Sequence, residues 1–217
     1  MEDFNVKDLF KGCLTIPNLL SVIRIALIPV FAILYLNGDK IVAVTILFLS
    51  GLTDLFDGKI ARKFNQVSAL GKILDPVADK LTQITVAIIF FILFRQSTEP
   101  LMNIFGWVFL VFLIKELVMI LGGLLMLVLG IRPGAAEIFG KVATVVFYSV
   151  MTLIMAFGPE VGAFAPDYVM SDVFTGILVA LSAVMTVVAF LSYVPEIIRQ
   201  FKEYFQNRKS NKAKINK

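Results

Sequence analysis

The chain has 217 residues, 59% of them hydrophobic and only 17% charged, with a formal net charge of +4 and a mean hydropathy of +0.88. Soluble domains run at about 45–50% apolar and about 25% charged, so a water-soluble globule is excluded and an all-α integral membrane protein of one domain is expected. With no histidine and a single cysteine, Cys13, the chain can hold no Ser-His-Asp or Cys-His centre, no His-ligated zinc and no internal disulfide; acid–base and metal chemistry falls to Asp, Glu, Lys, Arg and Tyr.

The first stretch, MEDFNVKDLFKGCLT, begins acidic and its apolar residues are spaced, unlike a secretory signal. Phe4, Leu9 and Phe10 with Lys7 and Lys11 predict a short amphipathic helix over 1–14, lying on the membrane surface. Six apolar stretches of spanning length follow, near 17–36, 41–60, 73–94, 104–130, 141–158 and 172–194. They are separated by NGDK, RKFNQVS, RQSTEP, GIRPGAAEIFG and GPEVGAFAPD, segments with the turn chemistry expected between helices.

With the N-terminus inside, the inner segments hold Lys7 and Lys11, then Arg62, Lys63 and Lys72, then Arg132 and Lys141, then the basic run from Arg199 to Lys217. The outer loops hold only Lys40 and Arg95. Six spans with both termini cytoplasmic follow from this bias. The membrane domain is expected over 1–200 and a basic cytoplasmic tail without regular structure over 201–217. That tail either sets topology and solubility or rests against anionic headgroups.

The second and third stretches carry four carboxylates where lipid-facing residues belong. Asp54 and Asp57 are three apart, with Gly58, Ala61 and Arg62 continuing the same helical face. Gly71, Asp75 and Asp79 are each four apart and form a second stripe. Two antiparallel helices joined by the short turn with Asn65 and Ser68 bring the stripes face to face near the cytoplasmic surface. Four carboxylates there repel one another and resist desolvation. Lys59, Lys63, Lys72 and Lys80 lie off the stripes by helical spacing, and Arg62 alone compensates too little. Oxygen-only ligation points to two Mg²⁺ or Mn²⁺ ions, a pair suited to phosphoryl oxygens. Taken singly, Asp75 before Pro76 also reads as a helix N-cap, and Asp54 and Asp57 as interfacial charges paired with lysine.

The segment DLFDGKIARKFNQVSALGKILDPVAD resembles the signature of the CDP-alcohol phosphotransferase (CDP-alcohol phosphatidyltransferase) family, D-x-x-D-G-x-x-A-R…G-x-x-x-D-x-x-x-D, with all eight positions filled. The resemblance covers nearly the whole chain. It implies loss of CMP from a CDP-linked lipid as a hydroxyl attacks the β-phosphorus, in phospholipid biosynthesis at the cell membrane with the site facing the cytoplasm. It implies Asp54, Asp57, Asp75 and Asp79 as ligands of two metal ions, with Asp79 also taking the proton of the attacking hydroxyl. Asp54, Gly58, Ala61, Arg62 and Gly71 would cradle the cytidine diphosphate. It also implies a homodimer, and no nucleic acid.

TIPNLLSVIRIALIPVF over 15–31 and DPVADK resemble two branches that start from CDP-diacylglycerol. One uses sn-glycerol 3-phosphate and makes phosphatidylglycerol phosphate; the other uses phosphatidylglycerol and makes cardiolipin. For an acceptor phosphate the candidates are Lys115, Arg132 and Lys141, though Lys115 beside Glu116 also reads as a self-neutralising pair. The glycerophosphate branch commonly carries Arg at the position of Lys115 and again eight residues on, where this chain has Gly123. On the basic residues available, sn-glycerol 3-phosphate is placed first and phosphatidylglycerol second. A cation transporter or channel is the alternative of another class, since intramembrane carboxylates also mark ion pathways; such a pathway spreads its charges through membrane depth, whereas these gather at one face.

Overall fold

In a computed structural model, residues 15–64, 68, 70–129, 138–165 and 167–215 are described. The side chains of 54–63, 72–73, 127–128, 138–139, 205 and 207–215 are outside that description. The expected interfacial helix over 1–14 and Arg132 therefore lie outside the described residues.

Six helices make up the described chain: α1 (Ile16–Asn37), α2 (Lys40–Lys63), α3 (Gly71–Gln96), α4 (Pro100–Val128), α5 (Ile138–Phe157) and α6 (Asp172–Ile215). Local chemistry sets the ends of α1. The Thr15 hydroxyl accepts from the Asn18 N–H at 3.3 Å, with Pro17 in the first turn, where a missing N–H costs nothing. Gly38 stops the helix at φ 100°, a conformation that glycine adopts without strain.

Five of these helices are long and apolar enough to cross a membrane among the described residues, and this is a multi-pass membrane protein. The expected span over 41–60 lies within one unbroken helix, of which Lys40–Thr53 is an apolar stretch among the described residues. The expected last span, 172–194, runs on through Pro195 to Ile215. The basic tail, expected to lack regular structure, thus continues α6 as helix.

The main helix contacts among the described residues are α1 with α2 and α3, α4 with α3 and α6, and α5 with α2 and α6. The order around the bundle is α1, α2, α5, α6, α4, α3. One end of this ring is filled. Phe90 and Phe94 on α3 meet Phe109 on α4 at centroid distances of 5.0 and 5.5 Å, and Phe112 meets Phe147 on α5 at 4.7 Å. Tyr35 donates to the Val161 carbonyl at 2.7 Å, and Lys40 to the Glu160 carbonyl at 3.1 Å, which ties the α5–α6 loop over that end. Among the described residues, the opposite end, where α1 and α3 begin, is polar and leads into two cavities.

Candidate active site

The polar end is organised by α1 pressing on the start of α3. Gly71 is buried there, and a Cβ on it would collide with Asn18 and come within 3.0 Å of Ser68 Oγ. Ser68 donates to Asn18 Oδ1 and accepts from the Gly71 N–H, both at 2.9 Å. Gly71, a member of the cytidine-diphosphate cradle that the resemblance implies, must be small for this helix contact.

Asp75 and Asp79 follow one and two turns later on the same face of α3. Asp75 is not an N-cap: α3 has begun by Gly71, and Pro76 lies inside the helix. The buried Ser21 hydroxyl donates to Asp75 Oδ1. Arg24, also on α1, donates from Nη1 to Asp79 Oδ1 at 3.0 Å, with its own side chain only 2% exposed. A buried guanidinium is tolerated only beside a counter-charge. Arg24 therefore supplies part of the compensation that the sequence reading sought only in Arg62, nearby lysines and metal. Tyr148 on α5 donates to the Asp79 carbonyl at 3.3 Å.

Of the four expected metal ligands, Asp75 and Asp79 are brought together here. The side chains of Asp54 and Asp57, with Gly58, Ala61 and Arg62 of the expected nucleotide cradle, lie outside the described residues. Among the described residues no three carboxylate, histidine or cysteine side chains gather as a metal group. The donor set that is described, two carboxylates one turn apart with oxygen neighbours, has the chemistry of a magnesium or manganese site.

Asp79 stands in the wall between two hollows. On one side, a largely apolar cleft of about 400 Å³ is lined by Arg24, Leu47, Phe48, Tyr148 and Leu153 among others. On the other, a cavity of about 470 Å³ is lined by Lys80, Lys115, Glu116, Lys141 and Tyr193 among others. Asp79 and Thr144 belong to both.

The second cavity carries most of the cations. Glu116 has 4% side-chain exposure; it accepts from Lys80 at 2.6 Å on one oxygen and pairs with Lys115 on the other. Lys115, one of the expected acceptor residues, thus lines this cavity and is also in the ion pair that its neighbour suggested. Lys141 lines the same cavity and enters no ion pair among the described residues.

Sequence reasoning missed Ser21, Arg24, Lys80 and Tyr148. One signal was present: an arginine in an otherwise apolar span is rarely without function. Lys80 was set aside as off the aspartate stripe, and that same rotation aims it at α4.

Comparison with known proteins gives the family. Residues 14–192 match the family model of the CDP-alcohol phosphatidyltransferases. The chain belongs to the CDP-alcohol phosphatidyltransferase family. A putative cardiolipin synthase of Mycobacterium tuberculosis is 53% identical over 78 residues, 36% of this chain and 37% of that protein. The chain thus spans little more than a third of that relative's length. A CMP-forming cardiolipin synthase of Streptomyces coelicolor is 36% identical over 137 residues, 60% of each chain. A CDP-diacylglycerol–glycerol-3-phosphate 3-phosphatidyltransferase of Aquifex aeolicus is 27% identical over 194 residues, 89% of this chain and 99% of that protein. Phosphatidyl transfer in phospholipid synthesis is the chemistry of the family.

Proposed function

We propose that this protein transfers the phosphatidyl group of CDP-diacylglycerol to a glycerol hydroxyl and releases CMP, with its site on the cytoplasmic side of the cell membrane. The observation that carries the reading is the place of Asp79, shared by an apolar cleft and a cationic cavity. The cleft of α1, α2 and α5 suits the acyl chains of the donor, and the cavity of α3 to α6 suits a phosphate-bearing acceptor. The acceptor hydroxyl attacks the β-phosphorus, its proton passes to an Asp79 carboxylate oxygen, and the bond to CMP breaks with its electron pair leaving on CMP. Arg24 and Tyr148 hold α3 so that this oxygen faces the junction.

The family is generally divalent-metal dependent. Asp54, Asp57, Asp75 and Asp79 would hold two Mg²⁺ or Mn²⁺ ions, which when bound neutralise the pyrophosphate and stabilise departing CMP. Basic residues on the inner segments place this end of the bundle at the cytoplasm.

For the acceptor, the charge arrangement favours phosphatidylglycerol over sn-glycerol 3-phosphate, the order opposite to the one drawn from the sequence. A phosphate dianion calls for several convergent cationic donors, and here Lys80 and Lys115 are both engaged by buried Glu116. A singly charged diester asks for less. The second reading, sn-glycerol 3-phosphate, is favoured by Lys141 on the cavity wall and by the match along most of the Aquifex relative.

The test is CMP release by purified protein given CDP-diacylglycerol and each acceptor in turn, with Mg²⁺ or Mn²⁺. Release is expected with a glycerol-bearing acceptor and should stop on chelation and return with added ion. Full release in excess chelator would refute the metal assignment. Cation flux without CMP release would favour the transporter alternative.

A further inference from the structure

A third hollow lies outside the catalytic junction. Between α4 and α6 runs an apolar groove of about 260 Å³, with Val108, Val111, Ile114, Val118, Ala183 and Val187 along it. Its inner end is made by Phe112, Lys115, Thr186 and Phe190, and these same four residues line the cationic cavity. The groove thus abuts that cavity, with these four side chains between the two, and leads outward between two membrane helices.

The packing of the two helices explains why it exists. Toward the filled end, Gly176 of α6 lies so close to Phe105 of α4 that a Cβ would collide with the ring. Contact there is as tight as glycine permits. From Val108 to Val118 the helices separate, and small Ala183 leaves the space between them unfilled. Val111, Ile114, Val118 and Val187 are each about half exposed, at 58%, 53%, 49% and 47%. In a membrane protein such exposure alone means only contact with lipid. A concave apolar path ending at a lysine, inside the acceptor cavity, means more.

We propose that this groove holds an acyl chain of the acceptor, an anionic glycerophospholipid whose phosphodiester lies in the cavity near Lys115 and Lys141. The proposal rests on the phosphatidyl-transfer reading and names the acceptor's class. A water-soluble acceptor has no use for a lateral apolar groove, whereas a lipid acceptor must enter from the bilayer. Charge agrees: Lys80, Lys115 and Lys141 outnumber Glu116 and Asp79 on the cavity wall, and Asp79 is itself paired with Arg24, which leaves a positive cavity for an anion. The donor's chains have their own cleft, on the far side of Asp79. From Val108 to Lys115 the groove follows about 10 Å of helix, enough for part of one chain. Phe112 and Phe190 line both groove and cavity, at the place where the chain would turn from one into the other.

The experiment uses full-length protein in nanodiscs or mixed micelles, with CDP-diacylglycerol and three acceptors: dioleoyl-phosphatidylglycerol, its deacylated counterpart glycerophosphoglycerol, and sn-glycerol 3-phosphate. Ala183→Trp fills the groove from α6, and Val111→Phe narrows it from α4 at an exposed position where folding is not at stake. In the wild type, the diacyl acceptor should have the highest kcat/KM. Both variants should raise its KM by about tenfold, through loss of a few buried methylenes. KM for CDP-diacylglycerol should move less than about twofold, as should kcat/KM for any head-group-only acceptor that is turned over. In wild type, a phosphatidylglycerol photoprobe with a diazirine near its acyl terminus should label α4 and α6 peptides.

Turnover of phosphatidylglycerol that neither variant alters, without labelling of those helices, overturns the groove and leaves phosphatidyl transfer standing. Use of sn-glycerol 3-phosphate alone overturns the lipid acceptor. Labelling of the groove by phosphatidylcholine as readily as by phosphatidylglycerol shows a bystander lipid and also overturns the proposal. Absence of CMP release with every acceptor removes the underlying reading itself.

Discussion

The two ends of this helix ring are built on opposite rules. At one end, α3, α4 and α5 close on interlocking phenylalanines; Phe90 and Phe109 have no exposed surface, and Tyr35 and Lys40 fasten the α5–α6 loop across the top. At the other end two hollows lie between the helices, and beside the close approach of α1 to Gly71 the contacts are polar bonds: Ser21 to Asp75, Arg24 to Asp79, Lys80 to Glu116. Lipid solvates apolar side chains as well as another helix does, so helices in a bilayer associate through shape and through hydrogen bonds. Shape is spent at the filled end. Hydrogen bonds and ion pairs hold the open end, where close packing would leave no room for substrate.

If the division of labour is real, substitutions at the open end should change rate far more than those at the filled end, where the effect should fall on stability alone. The largest effect is expected for Asp79→Asn. It keeps the shape of the side chain and removes both the proposed proton acceptor and the counter-charge of buried Arg24, so CMP release should fall by about 10²–10⁴-fold or more, and thermal stability in detergent should fall with it. Activity within tenfold of wild type would remove Asp79 from the chemistry. Phe109→Ala should act on stability alone. It opens a hole among Phe90, Phe94 and Phe112 and should cost about 3 kcal/mol, the low end of the soluble-protein range because lipid blunts the transfer contribution. Denaturant or thermal unfolding measures it, and kcat per folded molecule should stay within about twofold.

Gly71→Ala sharpens the comparison at the border. Its methyl must push Asn18 and Ser68 aside, a strain of about 1–3 kcal/mol. Because α1 also carries Ser21 and Arg24, both stability and kcat should fall together. A loss of stability with kcat intact would show that the aspartates keep their positions without α1. The smallest effect is expected for Tyr35→Phe, which deletes one buried hydrogen bond to the Val161 carbonyl. It should cost about 1 kcal/mol and leave catalysis unchanged; a marked fall in kcat would mean that the two ends are coupled.

Much of this was already present in the residue order. Long apolar runs in water-poor surroundings must satisfy their backbone internally, so they become helices, and Thr15 and Gly38 mark the ends of the first one. A four-residue spacing forces Gly71, Asp75 and Asp79 onto one helical face whatever lies opposite, and Lys115 and Lys141 were legible as intramembrane or border cations. What faces what was not legible. In a soluble helix the hydrophobic stripe tells which side is buried; here lipid-facing and core-facing positions are both apolar, and the stripe says little about rotation. Arg24 therefore looked like an isolated charge until α1 was set against α3, 55 residues away in sequence. Lys80 looked misplaced until its turn of α3 was seen to face Glu116 on α4. The groove has no signature at all, because it is made by two helices diverging from the Gly176–Phe105 contact. Local spacing determined which side chains share a face; the rotation and crossing of whole helices, set by packing between segments far apart in the chain, decided which faces meet and where space is left between them.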